Sequence, residues 1–204
     1  MKRLESNFKN MVLVLSTITL FAALTLGSVY TLTKDPIAVS KMAKQQNAIK
    51  FVLPPFDHFD QKALEVNDGT EVIKIYKAYD KSNKFVGAAV ESSSNNGFSG
   101  KISIMVGFDK AGVIQNYSVL EQKETPGLGA KMVNWFNSDN KRQSILGLNP
   151  ATTNLSVSKD GGDVDAITAA TISSRAFLFA VRNAYFALCK NTSNLSCDSV
   201  KVIN

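Results

Sequence analysis

Residues 102–120 read ISIMVGFDKAGVIQNYSVL. Two runs rich in β-branched and aromatic side chains, 102–108 and 113–120, flank Asp109-Lys110-Ala111-Gly112. Such runs fit a pleated surface, and an Asp-to-Gly break with a glycine free to take positive φ fits a hairpin turn. The same pattern extends upstream. Residues 71–79 (EVIKIYKAY) and 85–90 (FVGAAV) are strand-like and are separated by Asp80-Lys81-Ser82-Asn83, while a polar stretch, 91–100, divides them from the hairpin. Four sequential strands joined by short breaks predict an antiparallel-rich sheet. Downstream, one or two short helices are expected within 131–147. Residues 171–190 carry Ile172, Ala176, Phe177, Phe179, Ala180, Ala184 and Leu188 on a broad apolar face, which predicts a helix. The expected class is α+β: a sheet covered by helices, with no internal repeat.

At the other end, residues 11–32 (MVLVLSTITLFAALTLGSVYTL) contain no charge. Twenty-two residues in a helix cover ~33 Å, enough for a hydrocarbon core of ~30 Å. The run exceeds a signal-peptide core, and no small-x-small cleavage site follows it before Lys34-Asp35-Pro36, so a retained span is expected. The expected organisation is a short cytoplasmic tail (1–10), a transmembrane helix (11–32), a juxtamembrane helix and linker (33–55) closed by Pro54-Pro55, and one domain (56–204). Lys2, Arg3 and Lys9 precede the span and Lys34, Lys41, Lys44 and Lys50 follow it, so positive charge does not orient it. Export of the large domain with the tail inside remains open.

Composition excludes several functions. The 204 residues are 45% apolar and 20% charged, an ordinary globular balance. The net charge of +6 is concentrated in the first fifty residues; the rest of the chain is nearly neutral. A basic excess flanking an apolar run suits lipid head groups, and nucleic-acid binding is not expected. One histidine, His58, and no Cys-x-x-Cys pair leave no protein-only zinc site or histidine-based nucleophile system. His58, within Phe56-Asp57-His58-Phe59-Asp60, reads as a local polar or partly buried residue. Cys189 and Cys197 are compatible with a disulfide or with free thiols. Trp135 and Phe136 read as core or interface residues.

Two segments carry chemistry. Asp165-Ala166-Ile167-Thr168-Ala169-Ala170-Thr171-Ile172-Ser173-Ser174 follows Gly161-Gly162 and opens the strongest helix. Free N–H groups and the positive dipole end there attract phosphate, though hydroxyl residues at a helix start also serve as plain caps. Glu124-Thr125-Pro126-Gly127-Leu128-Gly129 places Pro and Gly as a type II turn requires, and Glu124 can accept hydrogen bonds. It too reads as a plain surface turn when taken alone.

Taken together, the two segments resemble the FMN-binding domain family of membrane redox complexes. Asp165-x-x-Thr168-Ala169-Ala170-Thr171-x-Ser173 is similar to its flavinylation motif, and the 124–129 loop matches the family's Glu-Thr-Pro-Gly-Leu-Gly. The one departure is Ala169 where the family has Gly, adding a methyl group that disfavours positive φ. The compact length and the 33–37 stretch place the resemblance nearest to the G subunits of Rnf-type ion-translocating electron transport complexes. The alternative is the related FMN-bearing C subunit of the sodium-translocating NADH:quinone oxidoreductase. The resemblance implies FMN esterified through its phosphate to Thr171 by a separate flavin transferase that uses FAD and a metal. It implies that Thr168, Ala169, Ala170, Glu124, Thr125, Pro126, Gly127 and Leu128 surround the flavin. It further implies a single-pass protein of the bacterial cytoplasmic membrane with its domain on the outer face. Its partners would be the other subunits of a complex that couples electron transfer between ferredoxin and NAD to ion movement. No residue is assigned as a catalytic acid, base or metal ligand, and no independent turnover is expected. A cofactor-free exported binding module is the competing reading.

Overall fold

The structure is a computed structural model and describes residues 7–67 and 72–192. Two compact units are present, Met1–Lys44 and Gln45–Asn204.

Apart from Asn7, the described part of the first unit is helix α1 (Phe8–Val52), whose last residues belong to the second unit. It is long and apolar enough to cross a membrane. Hydroxyls along it are satisfied locally: those of Thr17, Thr25, Ser28 and Thr33 donate to the carbonyls four residues back, at 2.7–2.8 Å. That arrangement removes the cost of carrying hydroxyls into hydrocarbon. The apolar run ends at Leu32, but the helix does not. It passes through Pro36, which lacks an N–H to offer the Leu32 carbonyl, and stops at Val52 ahead of Pro54-Pro55.

In the second unit, β1 (His58–Phe59), β2 (Leu64–Asn67), β3 (Val72–Tyr79), β4 (Phe85–Ser94), β5 (Ile102–Asp109) and β6 (Ile114–Glu121) form one sheet. The path is β1-β3-β4-β5-β6, with β2 also on β3, and every named pairing is antiparallel. The strands of the expected hairpin pair as β5 and β6, with Asp109 Oδ1 accepting from the N–H groups of Ala111 and Val113 across the turn. Strand β4 is longer than its apolar run. Residues Glu91–Ser94, which read as a polar break, pair with Ile102–Met105 and stay in the ladder. Pairing with β5, joined at Glu91 by pairing with β3, overrides their weak strand propensity. Strands β1 and β2 had no periodic signal and owe their existence to the open edge of β3.

Both faces of the sheet are covered, which is why β5 is buried along nearly its whole length. On one face α3 (Thr171–Lys190) and the short α2 (Met132–Trp135) enclose the larger core. Phe136 and Phe177 stack at 4.4 Å, and Tyr117 meets Phe177 edge-on. The Tyr117 hydroxyl donates to the Met132 carbonyl at 2.6 Å, and burial pushes its pKa up. On the other face the end of α1, through Ala48, Ile49 and Val52, packs on Tyr76, Ala78, Ala89 and Met105. Gln45 Nε2 donates to Tyr76 Oη at 3.0 Å; burial, with Glu91 and Glu65 nearby, pushes the tyrosine up to about 12.

Gly107 permits that second contact. A Cβ built on it would lie 1.9 Å from the Val52 carbonyl oxygen, a backbone atom that cannot step aside. Gly107→Ala is expected to cost about 3 kcal/mol through overpacking and to lower the midpoint of denaturant unfolding without changing its slope. An unchanged midpoint would show that the end of α1 is not held there.

His58 is exposed. Its ring stacks on Tyr79 with centroids 5.6 Å apart, and Nε2 sits 2.9 Å from Asn83 Oδ1. Among the described residues no group of three or more His, Cys, Asp or Glu could hold a metal. Cys189 is buried; Cys197, with which a disulfide is one of the two readings of the sequence, lies outside the described residues.

Candidate functional site

The two segments singled out in the sequence meet in space. The loop after β6 and the start of α3 line one cavity of about 340 Å3, within the ~300–1,000 Å3 of small-molecule sites.

Each wall has a local cause. In the 124–129 loop, the Leu128 N–H donates to the Thr125 carbonyl at 3.1 Å, and Gly127 between them has φ +78°. Pro126 supplies the preset φ and Gly127 the left-handed residue of a type II turn, as the sequence predicts. On the opposite wall, the Ala170 N–H donates to the Ile167 carbonyl at 2.9 Å, closing a tight turn over Thr168 and Ala169. Trp135 Nε1 holds the approach to this turn by donating to the Asp165 carbonyl at 2.9 Å. Helix α3 then begins with Ala170 as its cap, and no side chain caps it.

The four hydroxyls of the motif have different fates. Ser174 Oγ is buried, donates to the Ala170 carbonyl and accepts from the Ile167 N–H, both at 2.9 Å. Ser173 Oγ is buried and donates to Glu124 Oε2 at 2.5 Å. Thr168 is exposed and outside the cavity lining. Thr171 is half-buried and lines the cavity. It occupies the first helical position, so it is not the capping residue that one reading of the sequence allowed.

Glu124 organises the site. The residue is 5% exposed; Oε1 accepts from the Ser99 N–H at 2.9 Å while Oε2 takes the Ser173 hydroxyl. It thereby ties the β4–β5 loop, the 124–129 loop and the start of α3 into one frame. Two glycines leave room for it: a Cβ on Gly97 would fall 2.8 Å from Oε1, and one on Gly129 would fall 2.7 Å from Oε2.

Of the residues expected around a flavin, Thr171, Ala169, Ala170, Glu124, Thr125 and Leu128 line the cavity, whereas Thr168, Pro126 and Gly127 shape its turns from outside. Phe98, Gly129, Ile172 and Ser173 also line it. Phe98 was not among the expected residues. It projects from the polar 91–100 stretch and is 69% exposed, and a lone phenylalanine amid Ser, Asn and Gly was the available signal. The cavity suits a flavin phosphate: an uncapped helix start lies beside Thr171, and apolar faces come from Phe98, Leu128 and Ile172.

Ala169 has φ +61°, in the left-handed region where a methyl group is strained. Ala169→Gly is expected to stabilise the domain by about 0.5–1 kcal/mol, once relief of strain is set against the freer unfolded chain. Its unfolding temperature should rise by about 1–4 °C. A fall in that temperature would refute the strain.

The chain carries an FMN-binding domain after an apolar helix: residues 97–185 match the FMN-binding domain family. Proteins named as the G subunit of the ion-translocating oxidoreductase complex are similar along nearly their whole length. That of Aliivibrio fischeri (strain MJ11) is 32% identical over 194 residues, 88% of this chain and 89% of the relative. That of Salmonella typhi is 34% identical over 184 residues, covering 82% and 86%. That of Haemophilus influenzae (strain PittEE) is 30% identical over 205 residues, covering 93% and 94%. The chain belongs to this family of G subunits. A crystal structure of Shewanella oneidensis NqrC is similar over 65% of this chain and 70% of that one, at 19% identity and a TM-score of 0.40.

Proposed function

We propose that this chain is the membrane-anchored, FMN-carrying electron-transfer subunit of an Rnf-type ion-translocating complex, with FMN attached through a phosphoester to Thr171. The observation that carries the reading is the Thr171 side chain, half-buried in the cavity that the 124–129 loop shares with the uncapped start of α3. Family membership supports the role in a multi-subunit oxidoreductase. Bound there, FMN supplies one- and two-electron redox chemistry. The protein's part is to hold and shield it. The α3 N-terminus offsets the phosphodiester charge, and Phe98, Leu128 and Ile172 offer apolar surface to the ring system.

Attachment requires a flavin transferase: the Thr171 hydroxyl displaces AMP from FAD, and FMN remains on the oxygen. Residues 11–32 form the anchoring span in the cytoplasmic membrane, among lipid. The tail lies inside and the domain on the outer face, where it relays electrons between its neighbours in the complex as they pass between ferredoxin and NAD.

An intact-mass spectrum of the chain matured with its transferase tests this. The expected mass exceeds the bare sequence by that of FMN less one water. A mass equal to the bare sequence would overturn covalent attachment and favour the cofactor-free binding module.

A further inference from the structure

A second hollow, of about 510 Å3, lies along α3 next to the flavin cavity, and Ile172 borders both. One wall is the α3 face bearing Ile172, Arg175, Phe179 and Arg182, and the other is the segment from Leu155 to Asp160. The two arginines differ. Arg175 is satisfied by the Asp160 carboxylate through two hydrogen bonds of 2.7 Å, and this pair holds the Asp160 carboxyl below its usual range. Arg182 lies two helical turns further on, ~10 Å along the axis. It is half-buried, donates one hydrogen bond to Ser156 Oγ at 3.0 Å, and stands 6.0 Å from the Phe179 ring centroid. Burial lowers its pKa.

The ion pairs of the α3 arginines end with Arg175: among the described residues no carboxylate pairs with Arg182. A guanidinium has five donors in a planar fork, and among the described residues one of them is used, on Ser156. Partly desolvating a cation with no counter-ion among the described residues is a cost that folding does not require. A carboxylate arriving in the hollow would meet a ready bidentate partner beside apolar walls. Through Ile172 the hollow borders an apolar rim. Phe98, Leu128 and Ile172 around the flavin cavity are 69%, 41% and 48% exposed. Apolar surface beside an arginine anchor is the composition of an interface core.

We propose that this groove docks an apolar segment bearing a carboxylate from another subunit of the complex, with the acid bonded to Arg182. The proposal rests on reading the chain as part of a complex and assigns the face that meets its neighbour. Because the groove adjoins the flavin cavity, docking there brings the neighbour to the edge of the cofactor.

The test uses the full chain in membranes with the whole complex. A benzophenone amino acid replaces Phe179 and is photoactivated, and adducts are identified by mass spectrometry, with the same probe at exposed Lys110 as control. Position 179 should cross-link to one other subunit, on a peptide containing Asp or Glu, and position 110 should not give that adduct. Arg182→Glu should reduce recovery of that subunit with this chain about tenfold or more, and Arg182→Lys much less. An adduct confined to lipid, no subunit adduct, or wild-type recovery in Arg182→Glu would each overturn the proposal. Should Arg182→Glu fail to accumulate, Arg182→Gln replaces it, with the same loss expected. Flavin on the denatured chain is read in parallel: its absence from the wild type defeats the Thr171 assignment, and the cross-link still decides the docking face.

Discussion

Thr171→Ala abolishes covalent flavin while leaving the domain folded: that is the expected result with the largest effect. Thr171 is half-buried at the first turn of α3, away from the fully packed core, and removing such a hydroxyl should change stability by less than about 0.5 kcal/mol. The chain should run on a denaturing gel without yellow fluorescence and show the bare-sequence mass. Thr171→Ser, which keeps the nucleophilic oxygen, should retain fluorescence. Thr168→Ala should retain it as well, because Thr168 lies outside the cavity lining. Fluorescence persisting on Thr171→Ala and lost on Thr168→Ala would move the attachment to the turn.

Glu124→Ala should act differently, lowering stability and flavin loading together. Removing the carboxylate strands the buried Ser173 hydroxyl and the Ser99 N–H and opens a void between three segments. Hydrogen bonds to a charged acceptor contribute about 1.5–3 kcal/mol each, so a loss of about 3 kcal/mol is expected. For a domain of this size that lowers the unfolding temperature by about 6–12 °C. Glu124→Gln keeps the shape and one good acceptor and should lose about 1 kcal/mol. Calorimetry of the full chain, with flavin fluorescence on the same samples, separates the two variants. Wild-type stability in Glu124→Ala would show that the three segments are held together by other contacts.

What could be read from the sequence was local. The 102–120 hairpin, the 125–128 turn and the helix from Thr171 to Lys190 all formed where turn chemistry and periodicity placed them, since each depends on neighbours a few residues away. The segments missed were governed by distant partners. Glu91–Ser94 extends a strand because Ile102–Met105 lies beside it. Strands β1 and β2 have little pattern of their own and pair with β3. Phe98 sits in a polar loop, and its place in the cavity depends on the Ser99 N–H reaching a carboxylate 25 residues away.

The sequence by itself determined an apolar span, a Pro-Gly turn, and a run of hydroxyls opening a helix, because φ preferences, helical rise and apolar length act over a few bonds. Only the tertiary structure decided that Ser173 is taken by Glu124, 49 residues away, that Ser174 is spent on the turn, and that Thr171 faces the cavity. It likewise paired Arg175 with Asp160 and left Arg182 beside an apolar wall. Four hydroxyls or two arginines of the same kind are equivalent along the chain. Packing makes them unequal, because a buried donor must find an acceptor, and for Ser173 and Arg175 that acceptor comes from another segment.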